Sequence, residues 1–576
     1  MTGRPGGATR QPVRPPFSTT DVIDEALSDL QAHKDEWVGL PIQERIDLVK
    51  AVRRDFRGVQ QRFADYSVAA KGTSDRVRGN DREWIEIATV NRIHTGVLKA
   101  LTGIRDHGRP TVPGGYNVNP DGQVMARVFP DTKAHGTLFH GITMDVWLDP
   151  GVTLEEARAQ QAAPYREANR EGKVALVLGA GNASPLPPSD VFHKLFHDLR
   201  VVLLKMNPVN SYLGPLMEEA YRSLIERGFL RIVYGAADEG KYLVHHDLVD
   251  EVHMTGSDRT FEAIVFGPGE EGAKRKAAGD PIVKKPTTGE LGCITPWIIV
   301  PGDWDQADVE EQAAKMAFWM MRHEGYICFA PRVLVLHKEW PQRNAFVRAL
   351  IEALRQVKPI RAYYPGSADT QRAFVTAHPE AVQVGGDDED RVPWTVIPDL
   401  DPEAAGDICF RRESFSGLCA ETALEAESVP EYLDKAVNFC NNTIWGTLSA
   451  NLVVSEESLA DPDVSAAVER AAKGLRYGSI GINSPAVWSF YVMIATWGAF
   501  PGSDLKDIQS GIGKVSNFLM LPRPEKAVLR GPFRMRPYPF LGTAKGLDVF
   551  GKKLARFEED PSWMKLPGLW WSAKRA

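Results

Sequence analysis

Lys173-Val174-Ala175-Leu176-Val177-Leu178-Gly179-Ala180-Gly181-Asn182 is a short apolar run that ends in a glycine-rich turn. Such a run, with Pro187 and Pro188 following to open a helix, reads as a strand buried on both faces. The same unit recurs downstream. Residues 201–205, 230–234 and 251–254 read as further buried strands, with helices predicted over 191–199 and 216–227. Strands alternating with helices at this spacing predict parallel βαβ units with right-handed crossovers. Ligands of such sheets sit beyond the carboxyl ends of the strands. Asn182, Lys205, Gly235 and Ser257 all fall at such ends.

Upstream, residues 19–101 read mainly as amphipathic helix, opened by Thr19, Thr20 and Asp21 as capping residues. Residues 109–151 are rich in Gly and Pro and then in β-formers, which predicts an extended arm with strands over 124–129 and 138–148. A second α/β unit begins near Glu290, with strands over 297–300 and 333–336 and helices over 308–322 and 341–357. The chain ends in a Pro-rich, then amphipathic, then Trp-rich segment, and shows no repeat of solenoid period.

With 576 residues, 43% hydrophobic and 25% charged, the chain is long enough for two or three domains and a core that needs no disulfides or metals. Its net charge of -7 argues against non-specific nucleic-acid binding. The five cysteines are odd in number and show no Cys-x-x-Cys pair, so neither a disulfide framework nor a zinc site is expected, and a reducing cytoplasm fits. His245-His246 lacks a third ligand at suitable spacing, and no metal is expected. Residues 1–18 read as a disordered leader without the apolar core of a signal peptide. No run reaches the length of a membrane span.

One thiol stands apart. Gly325-Tyr326-Ile327-Cys328-Phe329-Ala330-Pro331-Arg332 places Cys328 between a helix-like and a strand-like run. Taken with Glu290 and Asn182, it completes a set of thiol, carboxylate and carboxamide. These are the groups needed to attack a carbonyl, hold an oxyanion and then activate water.

These pieces, in this order, resemble the aldehyde dehydrogenase superfamily. Gly181-Asn182 stands at the family's Trp-Asn turn and Lys205 at its cofactor-binding lysine. Gly235 with Gly240, Thr255-Gly256-Ser257, Glu290-Leu291-Gly292, Gly325-Tyr326-Ile327-Cys328 with Arg332, Glu413-Ser414-Phe415 and Asn441-Asn442 match its later motifs. The chain departs from the pattern at Ala180-Gly181, at Cys293 in place of a glycine and at Tyr326 in place of a glutamine. It is also longer than the family over 109–172 and beyond Pro524. The resemblance implies an α/β fold with a Rossmann-type cofactor domain, an α/β catalytic domain and a β oligomerisation arm. The implied division is a leader over 1–18, an NAD(P)-binding domain over 19–286 with its arm at about 110–150, and a catalytic domain over 287–480. A return to the cofactor domain with an entrance loop over 481–523 and a C-terminal extension over 524–576 complete it.

The resemblance further implies Cys328 as nucleophile, Asn182 as oxyanion donor and Glu290 as base. Lys205, Gly235, Gly256, Ser257, Glu413 and Phe415 become the residues that bind NAD or NADP. Pro208 stands where NAD-selective members carry a glutamate that repels a 2'-phosphate, so NADP is tolerated. Phe318, Trp319, Met320, Met321, Trp488, Phe490, Tyr491, Trp497 and Phe500 suggest an aromatic funnel for a hydrophobic aldehyde. The implied reaction is NAD(P)-dependent oxidation of an aldehyde to an acid. A CoA-acylating enzyme and a catalytically inactive scaffold are the alternatives. A homodimer or homotetramer is expected. The Trp-rich tail reads first as oligomer packing and only secondarily as a membrane contact.

Overall fold

The computed structural model describes residues 12–73, 77–167, 170–359, 361–386, 391–535, 540 and 546–575. Most of the expected leader and part of the Pro-rich stretch therefore lie outside the described residues. Ser18, the last residue of that leader, is tied down: its N–H donates to the Tyr234 carbonyl at 2.8 Å and its Oγ accepts from the Tyr234 N–H at 3.0 Å. The reading of 1–18 as uniformly disordered is corrected there, because a sheet edge offers unpaired backbone groups that a passing segment can satisfy.

Three long helices follow, Thr20–Gly39, Ile42–Ala70 and Val77–His107. In the first, Ile23, Leu27, Leu30 and Trp37 form the buried stripe that helical periodicity requires. The predicted helix over 216–227 is broken at the buried Tyr221 into Gly214–Ala220 and Arg222–Ile225.

Among the described residues the strands form two sheets. The smaller has the order Gly511–Ile512, Thr287–Leu291, Glu251–Gly256, Val174–Leu178, Val201–Met206, Leu230–Tyr234. All neighbours are parallel except the first pair. Every residue of Val174–Leu178 and of Val201–Met206 is buried, which is why both read as unbroken apolar runs.

The larger sheet runs Tyr116–Val118, Val124–Phe129, Thr143–Leu148, Pro524–Arg530, Ser479–Ile482, Ser449–Val453, Thr295–Ile299, Pro331–His337, Leu418–Leu424, Trp394–Leu400, Val382–Val384. Its parallel centre carries the second α/β unit, and the arm forms one edge. The arm is less extended than expected. A short helix, Lys133–Leu138, capped by Thr132, lies between the two expected strands, and the second begins only at Thr143 where 138 was expected. Pro524–Arg530 is no appendage either. It lies between the arm, with which it is antiparallel, and Ser479–Ile482, with which it is parallel.

Beyond it, Leu547–Glu559 lays Phe550, Leu554 and Phe557 into the core against Val77–His107. Buried charges lock this contact. Arg92 donates to Glu558 at 2.8 Å and to Asp131 at 3.1 Å, and His135 bridges the same two carboxylates. The final helix, Leu566–Arg575, buries Leu566 and Leu569 and leaves Trp570 and Trp571 about half exposed, at 48% and 54%. No described helix is long and apolar enough to cross a membrane.

Candidate active site

One short crossing between the two sheets runs through the site. The chain leaves the smaller sheet at Leu291, passes Gly292, Cys293 and Ile294, and enters the larger at Thr295. Glu290 therefore ends one sheet. Cys328 precedes Pro331–His337, the neighbour of Thr295–Ile299 in the other. Asn182 lies in the turn after Val174–Leu178. All three line one cavity of about 860 Å³, together with Lys205, Gly256, Ser257, Glu413 and Phe415. Gly235 does not line it; its carbonyl accepts from Lys205 Nζ at 2.8 Å and so orients that side chain.

The turn that presents Cys328 is built by backbone strain. After Gln306–Met321, His323 (φ 50), Glu324 (φ 59) and Gly325 (φ 79) are successively left-handed. The two non-glycine residues each cost on the order of 1–3 kcal/mol. A Cβ at Gly325 would collide with the Ser416 carbonyl and the Gly417 nitrogen, so close approach as well as conformation demands glycine. Arg332 offsets the strain. Its buried guanidinium donates to the Gly325 carbonyl at 2.6 Å, the Ile327 carbonyl at 3.1 Å and the Ser416 carbonyl. It thereby staples the turn that carries Cys328 to the segment that carries Glu413.

Cys328 is 9% exposed, and burial first, then the Glu290 and Glu413 carboxyls, push its thiol well above the usual range. The free protein holds it as a thiol. Glu290 is pushed up to about 8, by burial first and then by the Asp190 carboxyl; the Cys328 thiol and the Trp497 indole lie against it. Its Oε2 has no hydrogen-bond partner among the described residues. Asn182 Nδ2 donates to the Tyr326 carbonyl at 3.0 Å. A carboxamide has two N–H groups, so one remains for a substrate oxygen.

Glu413 is pushed up to about 8 by burial, opposed by Arg332, and its Oε1 has no hydrogen-bond partner among the described residues. A Cβ at Gly292 would overlap Glu413 Oε2, which gives a physical reason for the glycine in Glu290-Leu291-Gly292. Burial lowers Lys205 to about 8. Ser257 caps Asp258–Phe266, accepting from the Thr260 N–H at 3.2 Å, and this nine-residue helix aims its N-terminus at the cavity. A cavity of this size with a helix N-terminus, a lysine and the Glu413 carboxyl, whose Oε1 has no hydrogen-bond partner among the described residues, fits a dinucleotide with a phosphate and ribose hydroxyls.

Tyr326, at the family's glutamine position, accepts from Ser367 Oγ at 3.1 Å and packs edge-on to Tyr363 with centroids 5.0 Å apart. The expected funnel is different in kind. Trp319, Phe329 and Tyr491 form a buried aromatic cluster that does not line the cavity of Cys328, and Phe540 of the C-terminal segment packs on Trp319 at 6.2 Å and Trp488 at 5.4 Å. The aromatic residues act as core packing, because a face this apolar collapses onto any apolar segment that reaches it. Sequence reasoning missed Asp190, which looked like a helix-opening residue beside two prolines, and it placed Trp497 in the aromatic funnel, whereas its indole lies against Glu290.

Residues 201–370 match the aldehyde dehydrogenase family. The peroxisomal aminoaldehyde dehydrogenase 1 of Malus domestica is 26% identical over 332 residues, 54% of this chain and 55% of that protein, so the chain spans about half the length of this relative. The fold is similar to that of a mutant of aldehyde dehydrogenase C from Pseudomonas syringae, complexed with NAD+ and octanal (TM-score 0.59, 15% identity, 90% of each chain). It is similar also to glyceraldehyde-3-phosphate dehydrogenase GapN from Methanocaldococcus jannaschii, complexed with NADP (TM-score 0.57, 15% identity, 90% of this chain and 95% of that one).

Proposed function

Since the chain belongs to the aldehyde dehydrogenase superfamily, we propose that it oxidises an aldehyde to a carboxylic acid with NAD or NADP, through a thioester on Cys328. The observation that carries this reading is the convergence of Cys328, Glu290 and Asn182 on a single cavity also lined by Lys205, Ser257 and Glu413. A bound nicotinamide supplies the hydride acceptor and a positive charge beside the thiol.

The chain's own residues do the rest. With that positive charge beside it, Cys328 loses its proton to water in the cavity; the thiolate then attacks the aldehyde carbon as the carbonyl π pair moves to oxygen, and the free N–H of Asn182 meets that oxyanion. One such donor is worth about 10²–10³ in rate. After hydride departure the acyl group is held as a thioester. Glu290 takes a proton from water as its oxygen bonds to the acyl carbon, and the C–S bond breaks to release the acid. Lys205 and Glu413 hold ribose hydroxyls, Ser257 and Gly256 a phosphate, and Phe415 packs at the ring. Pro208, Lys241 and His245 line the same cavity, and a 2'-phosphate meets no carboxylate at position 208, which favours acceptance of NADP.

The test is reduction of NAD or NADP by a panel of straight-chain and aromatic aldehydes, with and without CoA. Turnover without CoA supports the reading, and Cys328→Ala abolishes it while cofactor binding persists. Turnover only with CoA would replace water by a thiol as acyl acceptor. Undiminished turnover in Cys328→Ala would remove the mechanism.

A further inference from the structure

We propose that His378, Asp407 and Cys409 bind a divalent transition metal of the zinc class, at a site in the second α/β unit that is separate from the Cys328 cavity. The three residues come from two segments. His378 caps the C-terminal end of the helix Ser367–Ala377, and Asp407 and Cys409 open the short helix Ile408–Arg411. The expectation of no metal rested on local spacing, and 29 residues separate His378 from Asp407.

One ligand atom from each residue lies within 4.8 Å of the other two. Zinc bond lengths of about 2.0–2.3 Å put tetrahedral ligand atoms roughly 3.3–3.8 Å apart, so a small side-chain adjustment closes the set on a metal. His378 Nε2 is already 3.2 Å from both Asp407 oxygens. Asp407 Oδ1 accepts from the Cys409 N–H at 2.7 Å, which fixes the carboxylate beside the thiol. The imidazole is held from behind, with Nδ1 2.9 Å from Glu380 Oε1. A proton on Nδ1, donated to Glu380, leaves the Nε2 lone pair for the metal, and a carboxylate in this position is the common support of a histidine ligand. Among the described residues no lysine or arginine is ion-paired with Asp407, so no fixed cation competes for it.

Charge and ligand type agree with the geometry. His378 and Cys409 are buried, and burial first, then the Asp407 carboxyl, push the Cys409 thiol well above its usual range. A dication reverses that balance. The thiol gives its proton to solvent as the Sγ–metal bond forms, and thiolate and carboxylate together match the two positive charges. One sulfur, one imidazole and one carboxylate suit zinc or cobalt and not magnesium or calcium. The place of the site gives the metal a consequence. Arg411, Arg412 and Glu413 follow Cys409 closely and line the cavity of about 860 Å³, and Thr370 of Ser367–Ala377 lines it too. Arg412 reaches Thr370 Oγ1 at 3.5 Å, and a metal on His378 and Cys409 is a second clamp between the same two elements.

The experiment titrates the full chain, reduced and stripped with a chelator, first with Co²⁺ and then with Zn²⁺. It needs no aldehyde and stands whether or not the dehydrogenase reading holds. A thiolate-to-cobalt charge-transfer band in the near ultraviolet is expected, and Zn²⁺ is expected to displace it. Cys409→Ser and His378→Gln are expected to lose the band, and Cys440→Ser to keep it. The Glu380 side chain is 49% exposed, so Glu380→Ala leaves the core undisturbed. It is expected to keep its circular dichroism and to weaken cobalt binding about 10–100-fold. A wild-type chain without the band, or a band of full strength in Cys409→Ser, would overturn the proposal. So would cobalt affinity in Glu380→Ala equal to that of the wild type.

Discussion

If Glu290 removes the proton from the attacking water, the pH dependence of turnover is set by its burial. The carboxyl is pushed up to about 8, by desolvation first and by Asp190 second. Only the ionised form accepts a proton, so the rate of thioester hydrolysis rises with pH and levels above the raised value. A group of this kind is about one-tenth ionised at pH 7 and about nine-tenths at pH 9, so the step is expected to speed up about tenfold between them. An ordinary glutamate would be fully ionised across the same range and give no slope. The assay is kcat from pH 6 to 10 at saturating cofactor. Saturation is needed because Glu413 is also pushed up to about 8 and titrates in the same window. Glu290→Gln is expected to keep the burst of reduced cofactor, lose about 10²–10⁴ in steady-state rate and show no limb near pH 8. A kcat flat from pH 6 to 10 in the wild type, or an unchanged limb in Glu290→Gln, would refute the assignment of this carboxyl as the base.

Two further perturbations address the supports of the site. Gly292→Ala drives a methyl group into Glu413 Oε2 and displaces a carboxyl proposed to bind ribose hydroxyls; losing a hydrogen bond to such a group costs about 1.5–3 kcal/mol, so KM for the cofactor is expected to rise about 10–150-fold with the fold intact by circular dichroism. Glu558→Ala leaves Arg92 and His135 facing one carboxylate, Asp131, where there were two. Breaking a buried pair of this sort costs about 3–5 kcal/mol, and denaturant unfolding together with faster proteolysis of the C-terminal helices is the expected readout.

The βαβ alternation was legible because strands buried on both faces must be unbroken apolar runs, and the turns after them must carry small or polar residues. That is why 173–182, 201–205 and 230–234 marked the small sheet, and why Asn182, Lys205 and Ser257 stood out at its strand ends. The arm was less legible. Lys133–Leu138 carries a local cap that competes with the β-formers around it. Pro524–Arg530 gave no sign of belonging mid-sheet, because its neighbours Thr143–Leu148 and Ser479–Ile482 are brought to it by the tertiary fold and not by the adjacent sequence.

Sequence by itself determined which residues are chemically able to act: a lone thiol after a glycine, a carboxylate beside a glycine, an amide in a turn. Local rules suffice for that, since side-chain type and backbone propensity are properties of short segments. Only the tertiary structure decided what surrounds them. Burial raised Glu290 and Cys328, Arg332 fixed the turn, the aromatic residues closed into a cluster, and Asp190 came to lie near Glu290. These depend on desolvation and on contacts between distant segments, and neither is encoded in any short stretch of the chain.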